Sequence, residues 1–157
     1  MTHPLFVVGI DGSPASRSAL RFAFGEAAAH GGEIHAITCW SSDVKSRNDP
    51  DLPPCNSYEN ASRVQRTIIF EVSDDAREVA KVVRELNEGE PGPLLVAAAA
   101  RTTCLVVGAT YEGPLARLTG HTDSDYCTRH ATVPVVVVPW VMPELEALDR
   151  GGALRRT

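Results

Sequence analysis

The sequence predicts a three-layer α/β domain, a five-stranded parallel sheet with helices on both faces. Three observations carry this. Apolar runs at 5–10 (LFVVGI), 33–40 (EIHAITCW) and 105–108 (LVVG), and the VVVV run between Pro134 and Pro139, read as strands buried on both faces. Helix-period segments separate most of these runs, and strands alternating with helices imply parallel pairing through right-handed crossovers. Two of the runs break at glycine and lead into a helix, at VVGIDGS (7–13) and LVVGATYEG (105–113). Backbone N–H groups at such turns favour anions, because glycine permits close approach and a helix N-terminus is partly positive.

Each element has its own justification. After the first strand, Ser13-Pro14 supplies an N-cap followed by proline at the first helical position. Ala19, Leu20, Ala23, Phe24 and Ala27 then form one apolar stripe, and Gly31-Gly32 ends the helix. The second strand spans 33–40. Residues 41–61 hold three prolines and many polar side chains and read as a long loop, a functional cover or a disordered segment. Val64, Ile68, Ile69, Val72 and Ala76 recur at helical spacing, and the alternation across 79–86 predicts a third strand. Pro91 and Pro93 fit the first turn of a helix running into LLVAAAAR. The fourth strand spans 105–108, a largely helical stretch spans 114–130, and Pro134 and Pro139 bracket a fifth strand of Val135, Val136, Val137 and Val138. One domain over 1–140 is expected, followed by a tail, 141–157, with a short helix around Glu144–Asp149.

With 157 residues, 43% of them hydrophobic and 22% charged, the chain has the material for one full core. A formal charge of −5 and the lack of any basic run with interleaved aromatics argue against nucleic-acid binding; Arg155 and Arg156 are only two charges. No apolar stretch reaches membrane-span length, and the N-terminus lacks a basic region followed by a signal-type segment. Cys39, Cys55, Cys104 and Cys127 are widely spaced without a C-x-x-C pair, as in a reduced cytoplasmic protein. Cys39 and Cys104 fall in or beside strands, where cysteine acts as a small hydrophobe.

Few residues announce chemistry. Asp11, at the exit of strand one, suits a ribose, a base edge or a phosphate-bound Mg²⁺; it equally suits turn chemistry, since Asp-Gly is a strong turn pair. Ser13 reads as a helix cap, because no G-x-S-x-G elbow surrounds it. G-x-x-x-x-G-K-[ST], H-E-x-x-H and a G-x-G-x-x-G after strand one are all absent. Cys127 and His130 are three apart but lack further zinc partners, and His121 in a Gly-Thr turn is the best candidate for a reactive histidine.

GIDGS with the S-x-x-AL helix, and VVG…GHTDSDYCTRHATVPVVVVP, resemble the universal stress protein domain. The resemblance covers residues 5–139 in order, with 122–139 matched without a gap and the loop 41–61 falling where members vary in length. It implies a strand order of 3-2-1-4-5, as in the adenine nucleotide alpha hydrolase-like folds, which puts both glycine turns on one crevice. Some members bind ATP there through G-x-x-G, nine residues, then G-[ST]. On this pattern Gly108 matches the first glycine, Tyr111 falls on the second, His121 on the third, and Thr122 keeps the hydroxyl. Asp11 matches the family's acidic residue near the nucleotide, and Cys39 falls, more loosely, on an adenine-side position.

The departures have physical consequences. Tyr111 and His121 put bulk where glycine lets backbone touch an anion, and Asp123 adds negative charge beside Thr122. Such repulsion costs on the order of a kcal/mol or more. Gly113 and Gly120 lie just off register and offer a shifted loop. The expectation is a degenerate adenine-nucleotide crevice in a regulatory or protective stress protein without turnover, ATP with Mg²⁺ being the cofactor the resemblance implies. The alternative is slow ATP hydrolysis with Asp11 on the metal and His121 as acid–base. A receiver-type phosphorylation module would need an acidic cluster and a lysine near the fifth strand; Asp11 stands alone and that lysine is missing. The resemblance also implies a homodimer through the last strand, and closure of an apolar edge strand by a two-fold mate, or by a cover, is physically sensible.

Overall fold

A computed structural model of the chain describes residues 3–44, 49–75, 80–111 and 123–141. Within these the elements run β1 (Leu5–Gly9), α1 (Pro14–His30), β2 (Glu33–Trp40), α2 (Tyr58–Asp75), β3 (Lys81–Glu88), α3 (Pro91–Ala99), β4 (Cys104–Tyr111), α4 (Asp123–His130) and β5 (Val135–Val141). All four strand pairings are parallel, and the sheet order is β3-β2-β1-β4-β5, as expected.

The sheet splits the core in two. Along β1, Val8 joins Leu20, Phe24, Val64 and Ile68 under α1 and α2, while Val7 joins Leu95, Ala99 and Cys127 under α3 and α4. The period-2 alternation of a doubly covered strand thus supplies both layers. Helix α1 begins where Ser13 Oγ accepts the Ser16 N–H at 3.1 Å and ends at Gly31 in the left-handed region.

Several boundaries differ from the sequence expectation. Helix α2 starts at Tyr58, inside the predicted 41–61 loop, because Ser57 Oγ accepts the Asn60 N–H at 3.1 Å and acts as its cap. Strand β3 covers 81–88 rather than 79–86, set by its full register against β2 from Glu33↔Lys81 to Trp40↔Glu88. Strand β4 continues through Gly108 to Tyr111, and β5 runs through Pro139 instead of stopping there. Ala76, residues 114–122 of the predicted helix and the tail helix around 144–149 lie outside the described residues.

Proline is tolerated in β5 for a reason visible in the ladder. The Leu105 N–H donates to the Pro134 carbonyl at 3.0 Å, so even-numbered β5 residues face β4 and odd-numbered ones face away. Pro139 is odd-numbered and on an edge strand, so its missing N–H removes no bond from this sheet.

Two polar groups fix the layers. Buried Gln65 of α2 donates to the carbonyls of Ala36 on β2 (3.0 Å) and Glu85 on β3 (2.9 Å), and accepts from Arg84 Nε (2.9 Å). Arg17 of α1 reaches Asp49 at 2.8 Å and Glu71 at 3.0 Å, pinning the loop that follows β2 against α1 and α2.

Candidate functional site

The strand order reverses between β1 and β4, and ligands of open α/β sheets bind at the carboxyl edge beside such a reversal. A cavity of ≈ 60 Å³ lies there, bounded by Ile10, Asp11, Cys39, Gly108, Asp123 and the start of α3 at Pro91. A second hollow of ≈ 140 Å³ shares Asp11, Cys39 and Pro91 with it and is roofed by Leu52, Pro53, Pro54 and Cys55 of the loop after β2. That roof is stitched down: the Ser41 N–H donates to the Cys55 carbonyl at 3.2 Å, and Cys55 Sγ lies 3.9 Å from the Asp11 carbonyl oxygen.

Four of the eight sequence-predicted site residues therefore meet on one cavity: Asp11, Cys39, Gly108 and Asp123. Tyr111 is the last residue of β4. Gly113, His121 and Thr122 lie outside the described residues. Sequence reading missed the contribution of α3, whose Pro91 and Leu95 line the cavity, and of Ser16 and Ser124. Pro91 was legible as a helix start, but only the crossover from β3 carries that helix back over β1 and β2.

Each residue's local role can be read. Asp11 Oδ1 accepts the Ser13 N–H at 2.8 Å, so the turn chemistry foreseen for it is present. Gly108 is glycine because a Cβ there would sit 2.3 Å from the Ala15 carbonyl oxygen of α1, a packing demand independent of any ligand. Asp123, from α4, lies at the start of α3, where the Gly92 backbone N–H favours its ionised form, while the α3 N-cap residue Glu90 makes no side-chain cap. Burial, then the nearby Asp11 charge, hold the Asp123 carboxyl above the usual carboxylate range.

Burial disfavours the thiolate form of all four cysteines. Burial first, then the Asp123 carboxylate, pushes Cys39 up to about 12, and burial likewise lifts Cys55 and Cys127 to about 11. Cys39 and Cys55 line the hollows as small apolar groups, and Cys127 is packed in the core under α3 and α4. Cys127 is fully buried while His130, three residues on, stacks on Tyr126 with ring centroids 4.3 Å apart, so that pair is not a metal site. Among the described residues no group of three His, Cys, Asp or Glu side chains is placed to hold a metal ion.

A doubly wound sheet of this order, with its crevice at the β1/β4 switch, has the architecture of the adenine nucleotide alpha hydrolase-like folds. Residues 5–139 match the model of the universal stress protein family, and the chain belongs to that family. A curated universal stress protein from Mycolicibacterium smegmatis is 31% identical over 136 residues, covering 84% of this chain; the chain spans 44% of that relative's length. Among solved structures it is similar to a universal stress protein in complex with cAMP (24% identity, 88% of this chain and 98% of that one, TM-score 0.63). One from Archaeoglobus fulgidus in complex with dAMP (17% identity, 87% and 98%, TM-score 0.61) shares the fold, as does an Arabidopsis thaliana member with AMP bound (13% identity, 87% and 91%, TM-score 0.57).

The described residues do not fit Mg²⁺-ATP well. Every charged side chain lining the two hollows is acidic, namely Asp11, Asp49 and Asp123, and no Lys, Arg or His among the described residues lines either. Asp49 is spent on Arg17.

Proposed function

We infer that the chain is a non-catalytic stress-response protein, regulatory or protective in role, whose β1/β4 crevice takes an adenine-containing small molecule. The observation that carries this is the convergence of Asp11, Cys39, Gly108 and Asp123 on one cavity at the switch point, in a family whose solved members include complexes with cAMP, dAMP and AMP. Thiols held protonated by burial and an Asp11 carboxylate engaged by the Ser13 N–H are groups that hold shape, and they favour binding over turnover. The wider reading is a single domain over 1–140 with its tail at 141–157, a cytoplasmic location and a homodimer joined through Val135–Val138 of β5. Among the described residues no helix is long and apolar enough to cross a membrane.

The test is mass spectrometry of small molecules released from freshly purified protein, followed by calorimetric titration with adenosine, AMP, cAMP and Mg²⁺-ATP against their guanine counterparts. Saturable binding of an adenine compound, weak or no Mg²⁺-ATP binding and no phosphate release are expected. Equal binding of guanine compounds, or no binding of any adenine compound, would overturn the reading. Native mass in the same preparation reports the dimer.

A further inference from the structure

Three helices begin at the cavity, and in two of them the chain has already supplied the anion that a helix start attracts. At α1, Asp11 Oδ1 takes the Ser13 N–H (2.8 Å), and Ser13 Oγ takes the Ser16 N–H (3.1 Å). At α3, the Asp123 carboxylate lies by the helix start at Pro91, and the Gly92 N–H favours its ionised form. The third helix, α4, opens with Asp123 itself and carries Asp125 in the same first turn. A helix N-terminus binds phosphate by offering free N–H groups and a positive pole, and here a carboxylate already lies at the start of each helix. Glu90, the N-cap residue of α3, adds a further negative charge near Asp123.

Resting on the adenine reading above, we propose that this crevice selects the uncharged nucleoside over its phosphorylated forms, with Asp123 as the specificity-determining residue. A ribose diol and a 5′-hydroxyl are hydrogen-bond donors and match acceptor-only carboxylates such as Asp11 and Asp123; a phosphate near neutral pH offers acceptors and negative charge. A like charge brought against Asp123 in this partly enclosed site lowers affinity by about tenfold or more. The opposite use of the acids, as ligands to a phosphate-bound Mg²⁺, is disfavoured because the Asp11 carboxylate is already engaged by the Ser13 N–H and no third ligand joins the two acids among the described residues.

Calorimetry on the full chain, in EDTA and again in Mg²⁺, separates the cases. Wild type is expected to bind adenosine at least about tenfold more tightly than AMP, and Asp123→Asn to close most of that gap by gaining AMP affinity. Asn keeps the shape and an acceptor oxygen at that position, and unchanged circular dichroism and melting temperature establish that the variant folds. Asp125→Asn makes the same charge change in the same helix turn, outside the residues lining the cavity, and is expected to leave the adenosine-to-AMP ratio unaltered. AMP binding as tightly as adenosine in wild type, an unchanged ratio in Asp123→Asn, or Mg²⁺ restoring AMP or ATP binding to wild type alone would overturn the proposal while leaving the adenine site standing. Failure of every adenine compound, with both variants as silent as wild type, would remove the site itself.

Discussion

Gly108→Ala separates a packing glycine from a phosphate-cradle glycine. Gly108 does not adopt a left-handed backbone, so an alanine there meets no conformational bar. It meets α1 instead: the added Cβ would lie 2.3 Å from the Ala15 carbonyl oxygen, 2.4 Å from its carbon and 2.8 Å from its Cβ. Comfortable carbon contacts lie at about 3.5–4.0 Å, so strand and helix must separate by roughly 1 Å along a buried seam. Overpacking of that kind costs about 1–3 kcal/mol and sometimes more, and backbone cannot yield as a flexible side chain does. Against this stands a gain of about 0.4–1 kcal/mol from restricting the unfolded chain. The net expectation is a loss of about 1–2 kcal/mol, read in urea denaturation as a lower midpoint at unchanged slope, and in thermal melts as a fall of about 2–8 °C. Gly25→Ala is the internal control: it sits within α1 with nothing inside 4 Å of the added atom, and it is expected to stabilise by about 0.5–1 kcal/mol. Gly108→Ala at wild-type stability, with only ligand binding lost, would refute the packing account.

Two further outcomes follow from the same geometry. With Cys39 at about 12 and Cys55 and Cys127 at about 11, against a free thiol at 9.0, alkylation by iodoacetamide at pH 8 is expected to run roughly 1,000-fold and 100-fold slower than for a free cysteine. Rates should climb about tenfold per pH unit up to pH 10, and any of the three reacting in the native protein within tenfold of free cysteine would contradict the assignment. Gln65→Leu removes the acceptor of Arg84 Nε and both donors to Ala36 and Glu85, and chemical denaturation should show a loss of about 2–3 kcal/mol; a loss under 0.5 kcal/mol would mean that Gln65 does not couple α2 to β2 and β3.

Much of the fold was legible because β1, β2 and β4 are buried on both faces, and continuous apolar runs between glycine turns leave few other arrangements. The strand order came from family likeness rather than from periodicity, which cannot say which strands are neighbours. The start of α2 was obscured because Pro50, Pro53 and Pro54 dominate the local composition, while the decisive signal is the single hydroxyl of Ser57 three residues before Asn60. For the site, Asp11 and Gly108 were visible at strand ends. Neither the carbonyl of Ala15 that dictates Gly108 nor the reach of Asp123 to the start of α3 is a sequence neighbour relation, so both stayed hidden.

The outward row of β5 has a consequence for whatever strand lies beside it. Only Val135, Val137 and Val141 can donate a hydrogen bond across that edge, because Pro139 holds the fourth position without an N–H. If an identical strand runs antiparallel about a two-fold axis at Val137, Val135 pairs with Pro139 at both ends and each pairing loses one bond. With the axis at Val136, Val135 and Val137 pair with each other through both of their bonds, and Pro139 lies opposite Val133, beyond the strand. The proline therefore sets a limit on that edge: a strand reaching position 139 finds an acceptor there and no donor, whereas each outward valine offers both.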